Sequence, residues 1–423
     1  MPKKALPGGT SMLLFGLLAI FTLSYWIGML RDTYRARGLM LRLPHTVKAE
    51  SRSESVPDPA LTGKASQQRI KAAPELPLVS VIIAAKEEEA SIAETVKHLL
   101  NQSYPRLEII AVNDRSQDST GRKLEELRKW SEGRQNLPVP LRIIHVTSLP
   151  AGWLGKNHAL FQGYQQARGQ FILFTDADVL FQPDTVSDAV HYMKEHSVDH
   201  LTLAPEMIVR GFWLRAFVQY FFFAFSLYIR PWRANIDSQH KHGMGVGAFN
   251  MMTRQAYERI GTHKAFALRP DDDLQLGIRV KQAGLRQRLA SGRDHIAVEW
   301  YRSLGEAVRG LEKNVFSGFQ YRLSFAALGV LGQLLMFFFP FAAIFILSGW
   351  PVWLYVCSIV ILLTVYLQLI RFLTGHNGKE ALVLPVTVCL LCYIVVRSVW
   401  LTVKQGGIYW RGTFYSLDEL KKM

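Results

Sequence analysis

The stretch QFILFTDAD, residues 170–178, is an apolar run that ends in two carboxylates one residue apart, Asp176 and Asp178. A run this short suits a buried strand and is too short for a helix core. The carboxylates admit two readings. They are either polar residues turning the chain at a strand end or oxygen ligands gathered round one cation. Hard divalent cations favour oxygen ligands and often bridge to substrate phosphates. The D-x-D triplet alone does not choose; its surroundings must.

Working outward, three similar runs precede it: LPLVSVIIAA at 76–85, LEIIAVND at 107–114 and LRIIHVT at 141–147. Between them lie amphipathic stretches. One has apolar spacing at Ile92, Val96, Leu99 and Leu100, one is a charged helix over about 119–130, and one is KNHALFQGYQQA. Short apolar strands alternating with helices predict an α/β fold with a mostly parallel sheet covered on both faces. In such sheets ligands gather at the C-terminal strand ends. Lys86, Asp114 and Asp176 all fall at such ends. No glycine-rich phosphate loop or Walker motif follows the first strand. GMGVGAF at 243–249 reads as a close-approach loop rather than a dinucleotide fingerprint.

Three further stretches join the triplet: VNDRSQDST at 112–120, GWLGKNHAL at 152–160 and RPDDDLQLG at 269–277. Lys156 in the second suits a phosphate. The three acids of the third are either the N-terminal residues of a helix, where acids are favoured, or a functional cluster.

This ordered set resembles the membrane-bound family 2 glycosyltransferases with a GT-A nucleotide-sugar domain. It is similar to the group holding ceramide glucosyltransferases and bacterial hopanoid- and carotenoid-associated transferases. The resemblance runs from about Leu78 to Arg322. It implies that Ala85, Lys86 and Glu87 surround the nucleobase and ribose of a UDP-sugar and that Asp114 binds the uracil side. It implies further that Lys156 lies near donor phosphate or sugar, that Asp176 helps place the donor, and that Asp178 holds Mg²⁺ or Mn²⁺ with Asp176. The family spacing of two acids, two residues and Leu-Gly fits Asp272, Asp273, Leu274, Gln275, Leu276 and Gly277, so Asp273 is the implied general base beside Asp272. The late (Q/R)xxRW pattern of many relatives is not kept. Its positions fall on Gly310, Lys313 and Asn314, which leaves Lys313 to neutralise the leaving diphosphate or to be a solvated lysine. The implied reaction is a single inverting displacement with no separate nucleophile. The acceptor-stacking tryptophan is absent, so a single sugar is expected rather than a polymer. A polysaccharide synthase of the same family is the alternative; a transporter or an inactive sugar-nucleotide scaffold fits less of the chain.

Composition places this domain at a membrane. Of the 423 residues, 49% are hydrophobic. Segments at 12–30, 323–348 and 351–370 carry no charge, 380–396 carries only Glu380 at its start, and all four are long enough to span a bilayer or nearly so. The formal charge is +15, from 49 Lys and Arg against 34 Asp and Glu. The excess sits beside apolar segments, as in RDTYRARGLMLRL, so it suits anionic lipid rather than nucleic acid. The three cysteines form no metal-ligand pattern. The expected organisation is an anchor with a basic flank at 1–44 and a linker at 45–77. A cytoplasmic catalytic domain follows at 78–322, with interfacial helices near 211–228 and 301–322. Membrane helices at 323–402 and a tail at 403–423 complete it, in a bacterial inner membrane. The aromatic stretch inside the catalytic region favours a lipid acceptor. Three crossings after the domain would put the basic tail outside. Either one apolar segment is re-entrant or interfacial, or the tail departs from the positive-inside rule.

Overall fold

The computed structural model describes residues 9–45, 76–133, 139–312, 315–410 and 413–421. Most of the expected linker therefore lies outside the described residues, as does Lys313. Two compact units share the chain. Leu41–Glu206 with Arg233–Val298 forms the sheet unit; Met1–Met40, Met207–Trp232 and Glu299–Met423 form the helical unit. The contiguous region 78–322 thus contributes to both.

The sheet unit is built on eight strands. In chain order they include β1 (Leu41–Arg42), β2 (Val79–Ala85), β3 (Leu107–Asp114), β4 (Leu141–Val146) and β5 (Phe171–Thr175). A short β6 (Val179–Phe181) leaves for a second sheet, and β7 (His200–Ala204) returns to the first. After β8 (Glu206–Met207) come β9 (Asn250–Thr253), β10 (Gln287–Ser291) and β11 (Ile296–Val298). The large sheet runs β1-β10-β7-β9-β5-β2-β3-β4, and the small one β6-β11-β8. The expected mostly parallel α/β sheet is present. In the large sheet only β9 runs against its neighbours, β5 and β7.

Period-two alternation explains why β2 is buried at every position. Val81 and Ile83 enter one apolar cluster, while Ile82 and Ala84 enter the other, each on its own face of the sheet. Ile109 and Ile110 divide in the same way on β3. Such a strand must be apolar on both faces. The register sets Ile82 opposite Ile110 and Phe174.

In the helical unit, five helices are long and apolar enough to cross a membrane: Met12–Leu39, Phe212–Ile229, Leu323–Ile346, Trp350–Thr374 and Lys379–Gln405. Four were expected as spans; Phe212–Ile229 is the segment expected to lie at the interface. The region expected to be interfacial at 301–322 contains a helix only at Leu304–Leu311, followed by a 3-10 turn at Val315–Phe319. Met12 packs on Gly349 and Gly16 faces the Trp350 ring, so the first helix and Trp350–Thr374 share one starting end. At the other end, Arg37 and Arg371 line one cavity. These two helices therefore run parallel.

Gly163 lies where the helix Gly155–Gln166 crosses the sheet. An added Cβ would collide with Ile82 and press on Val112. Overfilling a packed core costs about 1–3 kcal/mol. Gly163→Ala is expected to lower the thermal midpoint of the detergent-solubilised protein; an unchanged midpoint would show that the helix can shift freely on the sheet.

Candidate active site

The C-terminal ends of β2 and β3 turn sharply. Glu87 and Arg115, the residues that take the turns, both have φ 56°, a left-handed backbone that non-glycine residues seldom adopt. The two loops hold each other in place. Glu87 N–H donates to Ser116 Oγ at 3.2 Å, and Gln117 N–H donates to Glu87 Oε1 at 2.8 Å. Glu88 N–H donates to Thr120 Oγ1 at 2.8 Å, and Lys123 Nζ donates to the Glu89 carbonyl at 2.7 Å. Strained turns cross-linked in this way build a rigid rim at the strand ends.

Asp114 is buried at the end of β3, with Arg115 donating to both of its oxygens at 2.7 and 3.0 Å. The helix Gly155–Gln166 starts against this pair. A Cβ on Gly155 would strike Asp114 Oδ2 and Arg115 Nη2. That close approach accounts for the glycine of GWLGKNHAL.

The next residue, Lys156, reaches the centre of the site. Its Nζ lies 2.9 Å from Asp176 Oδ1 and 3.3 Å from Asp272 Oδ1. Burial opposes the ammonium charge, but the carboxylates of Asp176, Asp272 and Asp273 outweigh it and push the pKa well above the usual lysine value. Lys156 is thus a fixed cation. Asn157 then donates to the carbonyls of Phe266, Ala267 and Arg269 at 3.1, 3.0 and 2.9 Å. This clamp fixes the segment that delivers the late acids.

Asp272 and Asp273 occupy the first turn of the helix Asp272–Gln282. Asp273 Oδ2 accepts from Gly247 N–H at 2.9 Å, and its Oδ1 accepts from Leu274 N–H at 2.7 Å. Burial, then the Asp272 charge, pushes the Asp273 carboxyl up to about 7, against the opposing pull of Lys156. Burial likewise raises Asp272. Asp178, just past β5, is pushed up to about 7 by burial, then by Asp176 and Glu88. Asp271 is not part of this group: Arg269 holds both of its oxygens at 2.9 and 2.8 Å.

The structure therefore gathers Lys156, Asp176, Asp178, Asp272 and Asp273. It places Ala85, Lys86, Glu87 and Asp114 along the adjoining strand ends, with Ala85 buried, Lys86 partly buried and Glu87 exposed. Lys313 lies outside the described residues. The sequence reading missed Arg115, the Asn157 clamp and the role of GMGVGAF. That loop is a close-approach loop, as expected, but its target is the site itself. A Cβ on Gly245 would overlap the Asp273 carbonyl, and one on Gly247 would overlap Asp176 Oδ2. Two small residues inside a G-x-G-x-G run were the available signal.

Residues 80–261 match the family described as Glycosyl transferase family 2. A probable glycosyltransferase, YdaM, of Bacillus subtilis is 41% identical over 106 residues, which is 25% of this chain and 23% of that protein. A beta-monoglucosyldiacylglycerol synthase of Synechocystis is 28% identical over 270 residues, 62% of this chain and 51% of that one. A 4,4'-diaponeurosporenoate glycosyltransferase of Staphylococcus aureus is 24% identical over 243 residues, 57% of this chain and 61% of that one. The chain covers less than two thirds of the length of each of these relatives. Among solved structures, the mannosyltransferase PcManGT from Pyrobaculum calidifontis, in complex with GDP-Man and Mn²⁺, has a TM-score of 0.50 at 19% identity, covering 91% of this chain and 99% of that one. That likeness concerns the fold. The chain carries a family 2 glycosyltransferase domain of GT-A type.

The raised Asp178 carboxyl sets a pH dependence. Between the usual carboxylate range and about pH 7, the folded protein keeps a proton there that the unfolded chain has lost. Stability contributed by this proton is therefore lost as pH rises through that window. Asp178→Asn is expected to raise the thermal midpoint of chelator-treated protein, and by more at pH 8 than at pH 5. An equal effect at both pH values would contradict the burial argument.

Proposed function

We propose that this protein is an inverting, metal-dependent glycosyltransferase that moves a single sugar from a UDP-sugar to a membrane lipid. The observation that carries the reading is the Lys156–Asp176–Asp272–Asp273 cluster at the C-terminal strand ends, in a chain whose other unit is made of long apolar helices. Relatives named a beta-monoglucosyldiacylglycerol synthase and a 4,4'-diaponeurosporenoate glycosyltransferase support the lipid class.

Asp273 is the general base. A carboxyl raised to about 7 accepts a proton near neutral pH far better than an ordinary one. Its two backbone donors fix its direction while each oxygen keeps a lone pair. The base takes the proton of an acceptor hydroxyl, and the oxygen attacks the anomeric carbon from the face opposite the nucleotide. One displacement inverts that centre. Lys156 holds Asp176 and Asp272 in register and supplies positive charge beside the departing diphosphate. Asp176 and Asp178 suit Mg²⁺ or Mn²⁺: three acids, with Glu88, crowd a partly buried site, and their repulsion adds to the burial that raises Asp178. A divalent cation held there supplies charge for the diphosphate when bound.

The arrangement of the helical unit supports a cytoplasmic catalytic side. Phe212–Ile229 is flanked by β7 and β9, which pair with each other. A single crossing would separate paired strands of one sheet, so this helix enters and leaves on the same side. The last apolar helix, Lys379–Gln405, is tied at its start and again at Arg397 and Ser398, about two thirds of the way along. Glu380 pairs with Arg215, at the start of Phe212–Ile229, while Arg397 pairs with Glu312. Phe316 N–H donates to Ser398 Oγ at 3.3 Å. Together with the basic tail, these ties favour a last helix that does not cross. Met12–Leu39, Leu323–Ile346 and Trp350–Thr374 remain as crossings. Three crossings return the basic tail to the cytoplasmic side, in line with the positive-inside rule.

Two measurements test this reading. Purified enzyme given labelled UDP-sugar and total bacterial lipid is expected to yield a lipid heavier by one hexose or N-acetylhexosamine. Asp273→Asn should slow transfer by roughly 10²–10⁴-fold while UDP binding, followed by calorimetry, persists. An active Asp273→Asn beside an inactive Asp272→Asn would move the base by one residue, and a polymeric product would replace the lipid reading by a polysaccharide synthase. For the topology, Ser416→Cys and Ser348→Cys are introduced singly into a cysteine-free background. An impermeant maleimide on intact spheroplasts should label only Ser348→Cys; labelling of Ser416→Cys would refute the three-crossing arrangement.

A further inference from the structure

A second constellation lies in the sheet unit, made of residues that the proposed transfer does not use. His45, Asp188 and His295 offer ligand atoms that all lie within 4.8 Å of one another. His45 Nδ1 is 3.3 Å and His295 Nε2 is 3.0 Å from the same oxygen, Asp188 Oδ2. Asp188 and His295 are buried, at 0% and 1% exposure, while His45 is 39% exposed. From these positions we infer a divalent transition-metal site, best suited to Zn²⁺, at His45, Asp188 and His295.

The spacing suits the ion. Zinc binds imidazole nitrogen and carboxylate oxygen at about 2.0–2.2 Å, so neighbouring ligand atoms of a tetrahedral site are roughly 3.3 Å apart. The two contacts to Asp188 fall near that value. The ligand types also suit it, since imidazole with one carboxylate favours zinc over magnesium or calcium. Hydrogen bonding alone serves the site poorly. Among the described residues His295 Nδ1 is buried without a hydrogen-bond partner, so the ring is hydrogen-bonded through its other edge alone. A buried carboxylate is better compensated by a cation than by neutral N–H donors.

The two imidazoles stack, with centroids 4.3 Å apart and planes 17° from parallel. A bound metal lies close to the plane of each imidazole, so binding requires one ring to turn out of the stack. The exposed His45 is the ring with room to do so, and it gives the ion its way in. The three ligands come from distant stretches of the chain. His45 follows the edge strand β1, Asp188 sits in the helix Thr185–Glu195, and His295 precedes β11. An ion there pins the chain leaving β1 to the body of the sheet unit. Its role is that of a structural clip, distinct from any cation at Asp176 and Asp178.

Full-length protein in detergent, stripped with chelator and dialysed against Zn²⁺, tests this by metal analysis, with Co²⁺ absorption reporting ligand geometry. One tightly held zinc per chain is expected, with an intense tetrahedral Co²⁺ spectrum. His45→Ala should weaken binding at least tenfold, and Asp188→Asn should abolish it. Asp178→Asn should leave this zinc in place, which separates the clip from the donor site. His45→Ala removes an exposed side chain, and retained UDP binding would show that the variant is folded. Substoichiometric zinc in the wild-type protein, or a zinc indifferent to His45→Ala, would reduce the trio to a hydrogen-bonded Asp–His–His cluster and overturn the inference.

Discussion

The site depends on one ammonium group held between two carboxylates. Lys156 arrives from a helix, Asp176 from a strand end and Asp272 from the start of another helix. Without the lysine, three acids would crowd a partly buried space with nothing to offset their repulsion. With it, the acids stay close while burial keeps the carboxyls of Asp272 and Asp273 above the usual range. Much of the neighbouring architecture serves this contact. The Asn157 clamp fixes the approach to Asp271–Asp273, and Gly245 and Gly247 let a loop pass where any side chain would block it.

Strand order explains why the acids meet at all. Asp176 follows β5 and the acids at 272 and 273 come about a hundred residues later, yet β9 is inserted antiparallel beside β5 and brings Gly247 to Asp273. That one reversed strand turns a plain alternation of strands and helices into a closed group of charges. The helix Phe212–Ile229 leaves and returns between β7 and β9 without disturbing the sheet, since their pairing is already fixed on either side of it.

Polar pairs organise the helical unit in a similar way. Arg215 with Glu380 and Arg397 with Glu312 are ion pairs that join two long apolar helices to the segments beside them. Each is expensive to separate in a medium of low dielectric. Such pairs fix register between helices more firmly than apolar contact does, because lipid competes with apolar contact on nearly equal terms.

Local chemistry made much of this legible in the sequence. The four apolar runs became β2 to β5: β2, β3 and β5 are buried at every position and so must be largely apolar, while the edge strand β4 is only partly buried. DAD and DDD stood out because clustered like charges need a reason. Charge alone did not separate Asp271 from Asp273; the family spacing pointed to Asp272 and Asp273, and the fold gives Asp271 to Arg269 and Asp273 to Gly247. Nor could it give weight to Asn157, Arg115 or the His45, Asp188 and His295 trio. Each is an ordinary polar residue in its own stretch; Asn157 and the trio gain their meaning from partners far along the chain, and Arg115 from a hold on the neighbouring Asp114 that only the folded turn sets. The same limit applied to the apolar helices. Hydropathy measures length and composition, and both Phe212–Ile229 and the last helix satisfy it. Hydropathy does not see strand pairing or ion pairs such as Arg215 with Glu380, which constrain these helices and form only in the folded chain.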